Sequence, residues 1–162
     1  MSDQTMRRVA IVGGVRIPFC RSGTLYAELS NLEMLTTTLN ALVEKYNLAG
    51  ELIDEVVGGA VVTHAKDWNL AREAVVATKL HPNTPGVTLM QACGTSLQAA
   101  LGTAAKIATG QIDCGIAMGS DTTSDAPIVF NRRFAQRLVK MQKAKGVGAK
   151  ARLLKGFSPA EL

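Results

Sequence analysis

The stretch Pro85–Gly110, PGVTLMQACGTSLQAALGTAAKIATG, predicts a short apolar strand, a tight turn carrying Cys93, and a helix of small and apolar residues. Leu97, Ala99, Ala100, Leu101, Ala104, Ala105, Ile107 and Ala108 leave this helix no polar face, and Lys106 is its only charge. A helix that is apolar on every side is expected to be buried on every side. Its many Ala, Gly, Ser and Thr residues would let neighbouring backbones come close. Cys93 is thus placed where a strand ends and a central buried helix begins.

That placement has chemical content. The first N–H groups of a helix lack intrahelical partners and stabilise negative charge set against them. A thiol held there loses its proton more easily, and the thiolate is the nucleophilic form. Gly94, Thr95 and Ser96 add no bulk that would keep a substrate away. The competing reading is that Cys93 is one more small apolar residue of a core, the usual fate of a free cysteine.

Working outward, Cys114–Gly119 reads as a further apolar strand after the helix. Upstream, Glu55–Thr63 reads as a strand in which Gly58-Gly59 marks a bulge or the close approach of another backbone. Asn69–Lys79 reads as a helix with Asp67 as a candidate cap, followed by a loop bounded by Pro82 and Pro85. Leu29–Tyr46 is a helix with a Ser30/Glu33 capping box, a Leu29/Met34 staple and an apolar stripe through Leu32, Leu35, Leu39, Leu42, Val43 and Tyr46. Val9–Val12 reads as a first buried strand running into Gly13-Gly14. A dinucleotide fingerprint is not present there, because Pro18 and a polar loop follow in place of a helix. Strands alternating with helices predict an α/β fold, a mostly parallel sheet with helices on both faces.

Charge is unevenly spread. Residues 131–162 hold nine Lys or Arg against one acid, whereas residues 1–130 hold nine basic and twelve acidic residues. The net charge of +5 therefore reflects a basic tail on a mildly acidic body, and nucleic acid is not the expected partner. In the tail, Phe134, Leu138 and Met141 share a helical face among positive charges. Such a helix suits an anionic lipid surface or a polyanionic ligand, or covers part of its own protein. The two regions are expected to divide as residues 1–128 and 129–162. Three widely spaced cysteines argue against a disulfide framework and suit a reducing cytosol, so the expected location is cytoplasmic. No Cys/His spacing suggests a metal site.

Several motifs resemble those of the thiolases. Cys93-Gly94-Thr95-Ser96-Leu97-Gln98-Ala99 is similar to the segment in which that family's nucleophile opens a buried helix. Asn69-Leu70-Ala71-Arg72 resembles its Asn-Pro-Ala-Arg, and Arg16-Ile17-Pro18-Phe19 its Arg-Thr-Pro-Phe. Gly119 to Pro127 resembles the family's Gly-Gly-x-Glu segment, with Asp121 and Thr123 in place of Glu and Met. Met90 replaces an Asn common three residues before the cysteine.

The resemblance implies an N-terminal half-domain (1–128) followed by the start of a helical loop domain (129–162). It implies an acyltransferase in which Cys93 carries the acyl group as a thioester, with coenzyme A thioesters as substrates and no further cofactor or metal. The reaction would be thiolysis of a 3-ketoacyl-CoA or condensation of acetyl-CoA. A homodimer or tetramer is implied, with a fatty-acid-oxidation subunit as a further partner and residues 131–145 as a site of peripheral membrane contact. The family's acid/base residues come from a C-terminal half. His64 and His81, the only histidines, lie in no matching motif, and Cys20 and Cys114 lack the context of its second cysteine. Cys114 is expected in the core. An incomplete fragment is therefore expected, or a non-catalytic module that only associates with thiolase subunits. A ketoacyl synthase shares the cysteine chemistry but fits Arg16–Phe19 and Asn69–Arg72 less well.

Overall fold

The computed structural model describes residues 6–154, with side chains as far as residue 151. The chain divides into two compact units, one ending at Pro127 and one starting at Ile128.

In the first unit the chain runs α1 (Asn31–Lys45), β1 (Glu55–Gly58), a 3-10 turn (Ala65–Asp67), α2 (Leu70–Val76), β2 (Gly86–Thr88), α3 (Thr95–Ala108) and β3 (Gly115–Ala117). The three strands form a parallel sheet of order β2-β1-β3. Val56 stands opposite Gly86 on one side and Ile116 on the other. Successive strand residues point to opposite faces. Val56 accordingly joins Leu35, Leu39 and Val43 of α1 and Leu70, Ala74 and Val75 of α2 in one core. Its neighbour Glu55 reaches Lys106 of α3 at 2.6 Å on the other face. Helices therefore cover both faces, as the alternation of elements predicts.

α1 starts and stops as its sequence dictates. The Ser30 hydroxyl accepts from the Glu33 N–H at 3.2 Å, and the Glu33 carboxylate accepts from the Ser30 N–H at 2.8 Å. The C-terminus closes at Asn47, left-handed at φ 54°, where Leu48 N–H reaches back to Val43 O at 2.9 Å. Asparagine tolerates this conformation better than most residues.

Four expectations are corrected. Val9–Val12 is not a strand: Ile11 is 94% and Val12 84% exposed. An apolar run becomes a strand only against a partner edge, and this segment is held instead at the end of α3, through Arg7 N–H to Ala108 O and an Arg7–Asp113 ion pair. The cap of α2 is Asn69, whose Oδ1 accepts from Arg72 N–H at 3.2 Å, rather than Asp67. Cys114 is exposed, lying just before β3 where its N–H donates to Asp54. Finally, α3 is covered on one side only. Thr95, Ala99 and Thr103, spaced four residues apart, are buried against the sheet, while Leu97 and Leu101 are more than half exposed.

The second unit holds α4 (Arg132–Lys143), capped by Asn131, and α5 (Val147–Leu154), which pack together. Phe130 and Phe134 meet edge to face at 4.9 Å. Residues from 155 on, part of the basic tail, lie outside the described residues.

Candidate active site

Cys93 sits in a turn with a specific construction. The chain leaves β2 at Thr88, and Gly94 N–H returns to Gln91 O at 2.9 Å. The buried Thr95 hydroxyl accepts from Gln91 N–H at 2.9 Å and donates to Ala92 O at 2.8 Å. Between these ties Ala92 is left-handed, with φ 44°. For a residue with a Cβ this conformation costs about 1–2 kcal/mol. The bonds around it and the packing of Thr95 on the sheet hold it there. The result is an exposed Cys93 two residues ahead of α3.

A cavity of about 190 Å³ lies against the turn, bounded by Gly59, Ala92, Cys93, Ser96, Gly119 and Asp121. Its walls are the segments that follow β1, β2 and β3, so it occupies the carboxyl end of the parallel strands. Open α/β sheets place their ligand sites there. Two glycines allow the walls to close in. A Cβ on Gly59 would overlap the Leu89 carbonyl, and one on Gly119 would stand 2.7 Å from the Ser96 Cβ. The Gly58-Gly59 pair thus marks a close backbone approach, one of its two expected meanings.

A larger cleft of about 1080 Å³ shares Cys93, Ser96 and Asp121 and extends to residues 13–22 and to Leu35 and Leu39 of α1. Arg16 and Cys20 line it. Across it, Ser22 and Gly23 are tied to Ser124, the latter by its N–H at 2.9 Å. Desolvation first, and then its bond to Cys20, push the Tyr26 phenol above its ordinary value.

The two histidines are engaged elsewhere. His64 Nε2 lies 2.8 Å from Asp125 O and 3.1 Å from its carboxylate, and His81 Nδ1 accepts from Asn83 N–H at 3.2 Å. Among the described residues no group of His, Cys, Asp or Glu has the arrangement of a metal site, and no helix is long and apolar enough to cross a membrane.

The profile of the thiolase N-terminal domain matches residues 9–158. The chain belongs to the thiolase family. It is similar to the 3-ketoacyl-CoA thiolases of Shewanella denitrificans and Vibrio cholerae, at 36% and 37% identity over 155 residues. These matches cover 96% of this chain and 36% of each relative, so the chain spans about a third of their length. Among solved structures, the acetyl-CoA acetyltransferase of Bacillus anthracis matches with a TM-score of 0.75 at 25% identity, over 83% of this chain and 34% of that one. A thiolase from Ascaris suum in complex with coenzyme A shares the fold, with a TM-score of 0.64 at 23% identity over 68% of this chain and 29% of its own.

The motifs that resemble those of other thiolases fall into two sets in the structure. Arg16–Phe19, Cys93 and Gly119–Ser124 come together along the larger cleft. Asn69–Arg72 instead fastens α2 to β2. Asn69 Oδ1 accepts from the Thr88 hydroxyl at 2.7 Å, its amide donates to Gly86 O at 3.1 Å, and Arg72 donates to Thr84 O at 3.3 Å. Sequence reasoning named Thr95 and Asp121 only as motif positions and missed what they bond. The role of Thr95 carries a visible signal, a hydroxyl at the start of a helix. That of Asp121, and Asn31 altogether, carry none, because what they bond lies far away in sequence.

Proposed function

We propose that this chain is the nucleophile-bearing part of a thiolase-type acyltransferase and that Cys93 is its covalent acyl carrier. The observation that carries this reading is the exposed Cys93, thrust by a strained turn into a cavity at the carboxyl ends of three parallel strands. The Cys93 thiolate attacks the carbonyl of an acyl-CoA thioester, forming a new carbon–sulfur bond. The bond to the coenzyme A sulfur breaks, and that sulfur leaves with the electron pair and is protonated. In thiolysis of a 3-ketoacyl-CoA the thiolate attacks the 3-keto carbon instead, and the C2–C3 bond breaks. Acetyl-CoA leaves as an enolate that is protonated, again giving an acyl-Cys93 thioester. Coenzyme A enters as substrate, and the step calls for no other cofactor. Mass spectrometry of the intact enzyme after incubation with acetyl-CoA should find one acetyl group on the Cys93 peptide, absent from Cys93→Ser. Label confined to other sites rejects the assignment.

A complete cycle also needs an acid/base group and donors for the thioester oxygen. Neither histidine lines the Cys93 cavity, and the chain spans about a third of its relatives. The remaining groups would come from outside these 162 residues. The same observation favours a second reading, a non-catalytic module that associates with thiolase subunits, and measurable thiolysis by the purified chain would rule it out. In either case a cytoplasmic protein, at least dimeric or tetrameric, is proposed, with a fatty-oxidation subunit as a further partner. The division at residues 128/129 would separate the nucleophile-bearing domain from a basic loop domain. Residues 131–145, with Phe134 and Met141 half-buried among Arg132, Arg133 and Lys140, would serve as the site of peripheral membrane contact.

A further inference from the structure

Past the ends of β1 and β3 the backbone ladder continues, with Met118 N–H on Val57 O at 2.9 Å. Ser120 N–H donates to Gly59 O at 3.1 Å. A single oxygen, Asp121 Oδ1, accepts from both Val61 N–H (2.9 Å) and Val62 N–H (3.1 Å). Asn31, the first residue of α1 and only 5% exposed, donates its amide to Val62 O at 2.7 Å and accepts from the Ser120 hydroxyl at 3.0 Å. Side chains thus take over where the backbone ladder stops.

We propose that Asp121 and Asn31 are positioning residues that fix the wall facing Cys93, an inference that rests on the acyl-transfer reading above. Residues 59–62 and 119–121 form that wall as one body. Gly119 presses it onto Ser96, three residues from Cys93, and Gly59 presses it onto Leu89, on the strand side of the same turn. The height of the wall above Cys93 is therefore set by the clamp that locks its two halves. Neither side chain needs to touch the substrate. Both act through the backbone of residues 59–62, whose place decides how a thioester carbonyl lies over the sulfur. A carboxylate suits the role because a charged acceptor holds two amides more firmly than a neutral one.

The test has three readouts: acetylation of Cys93 by acetyl-CoA over a range of concentrations and, on the full chain, alkylation by iodoacetamide and amide exchange at Val61 and Val62. In Asp121→Ala the maximal acetylation rate should fall about ten- to a hundred-fold, the penalty of misplacing reacting groups by about an ångström. The half-saturating concentration and the iodoacetamide rate should stay within about twofold, since a small reagent needs only an exposed thiol. Exchange at both amides should accelerate at least about tenfold, corresponding to a loss near 1.4 kcal/mol. Asp121→Asn keeps the accepting oxygen and should recover the rate to within about fivefold of wild type; Asn31→Ala should reproduce the loss. Unchanged exchange in Asp121→Ala overturns the clamp, whatever acetylation does. So does Asp121→Asn acetylating as slowly as Asp121→Ala while its amides stay protected, because charge rather than position would then be at work. A joint fall of acetylation, alkylation and melting temperature in both Asp121 variants also overturns it, as a purely structural role. The acetylation arm is run in the intact enzyme, where a Cys93 that is never acetylated rejects the acyl-transfer reading itself, and the exchange comparison still decides whether the clamp exists.

Discussion

A single hydroxyl governs the turn that carries Cys93. Thr95 is buried and bonds Gln91 and Ala92 at once. Thr95→Val removes both side-chain bonds: Gln91 N–H loses its partner, while Ala92 O keeps the Thr95 N–H at 3.1 Å. An unfolding titration in urea should register a loss of about 1–3 kcal/mol. Thr95→Ser keeps both bonds and should recover most of it; equal losses in the two variants would trace the effect to packing. Lys106 is the other informative residue. The lone charge of α3 pairs with Glu55, whose side chain is 12% exposed. Lys106→Met should destabilise by about 2 kcal/mol, below the 3–5 of a fully buried pair because the lysine side chain is 38% exposed. Adding Glu55→Gln should restore part of that stability. Placing Cys93 between strand and helix could be read from small residues in a row. The exposure of its thiol could not, since this depends on what covers α3 rather than on α3 itself.

At the scale of elements, α1 was legible because its signals are local: a cap and its partner three residues apart, then an apolar stripe. The N-terminal run Val9–Val12 carried the same local signal as a real strand, but its fate depends on an edge contributed by residues a hundred positions away. The 12-residue helix α4 was legible from its apolar face, Phe134, Leu138 and Met141, set among positive charges, and its cap at Asn131 was not. Within α3, the Thr103 hydroxyl is buried without a hydrogen-bond partner. Thr103→Val is nearly isosteric and removes a desolvated polar group, so the melting midpoint should rise, by about 1 kcal/mol in stability. A fall would reveal a partner for that hydroxyl. The segment entering β3 is pinned by Asp54, which accepts from the N–H groups of Asp113 and Cys114, and these bonds hold its carboxyl below the usual value. A carboxyl with a depressed folded-state pKa lends stability above its unfolded value, near 3.9, and loses it as pH falls through the folded value. Asp54→Asn should therefore weaken the chain at neutral pH and flatten its acid-induced loss of stability. Parallel curves for wild type and variant between neutral and acid pH would contradict this.

For the whole molecule, the two-sided sheet was legible from alternation, because each strand–helix step leaves few ways to return to a parallel neighbour. The uncovered flank of α3 was not, and it bears on assembly. With Leu97 and Leu101 exposed beside the sheet, the intact protein is expected to sediment as at least a dimer at micromolar concentration; a monomer under those conditions would oppose that proposal. The strand order has one more effect, which concerns time. β1 is made first and ends in the middle of the sheet, between β2 and β3. As the chain emerges during synthesis, Val56 and Val57 must wait for Gly86 and Val87 before one flank is paired, and for Ile116 and Ala117 before the other is. Through that interval the most buried strand of the protein has open edges, and long loops must close before its bonds form. Ribosome-bound chains that stop short of Gly115 are thus the ones most in need of a chaperone.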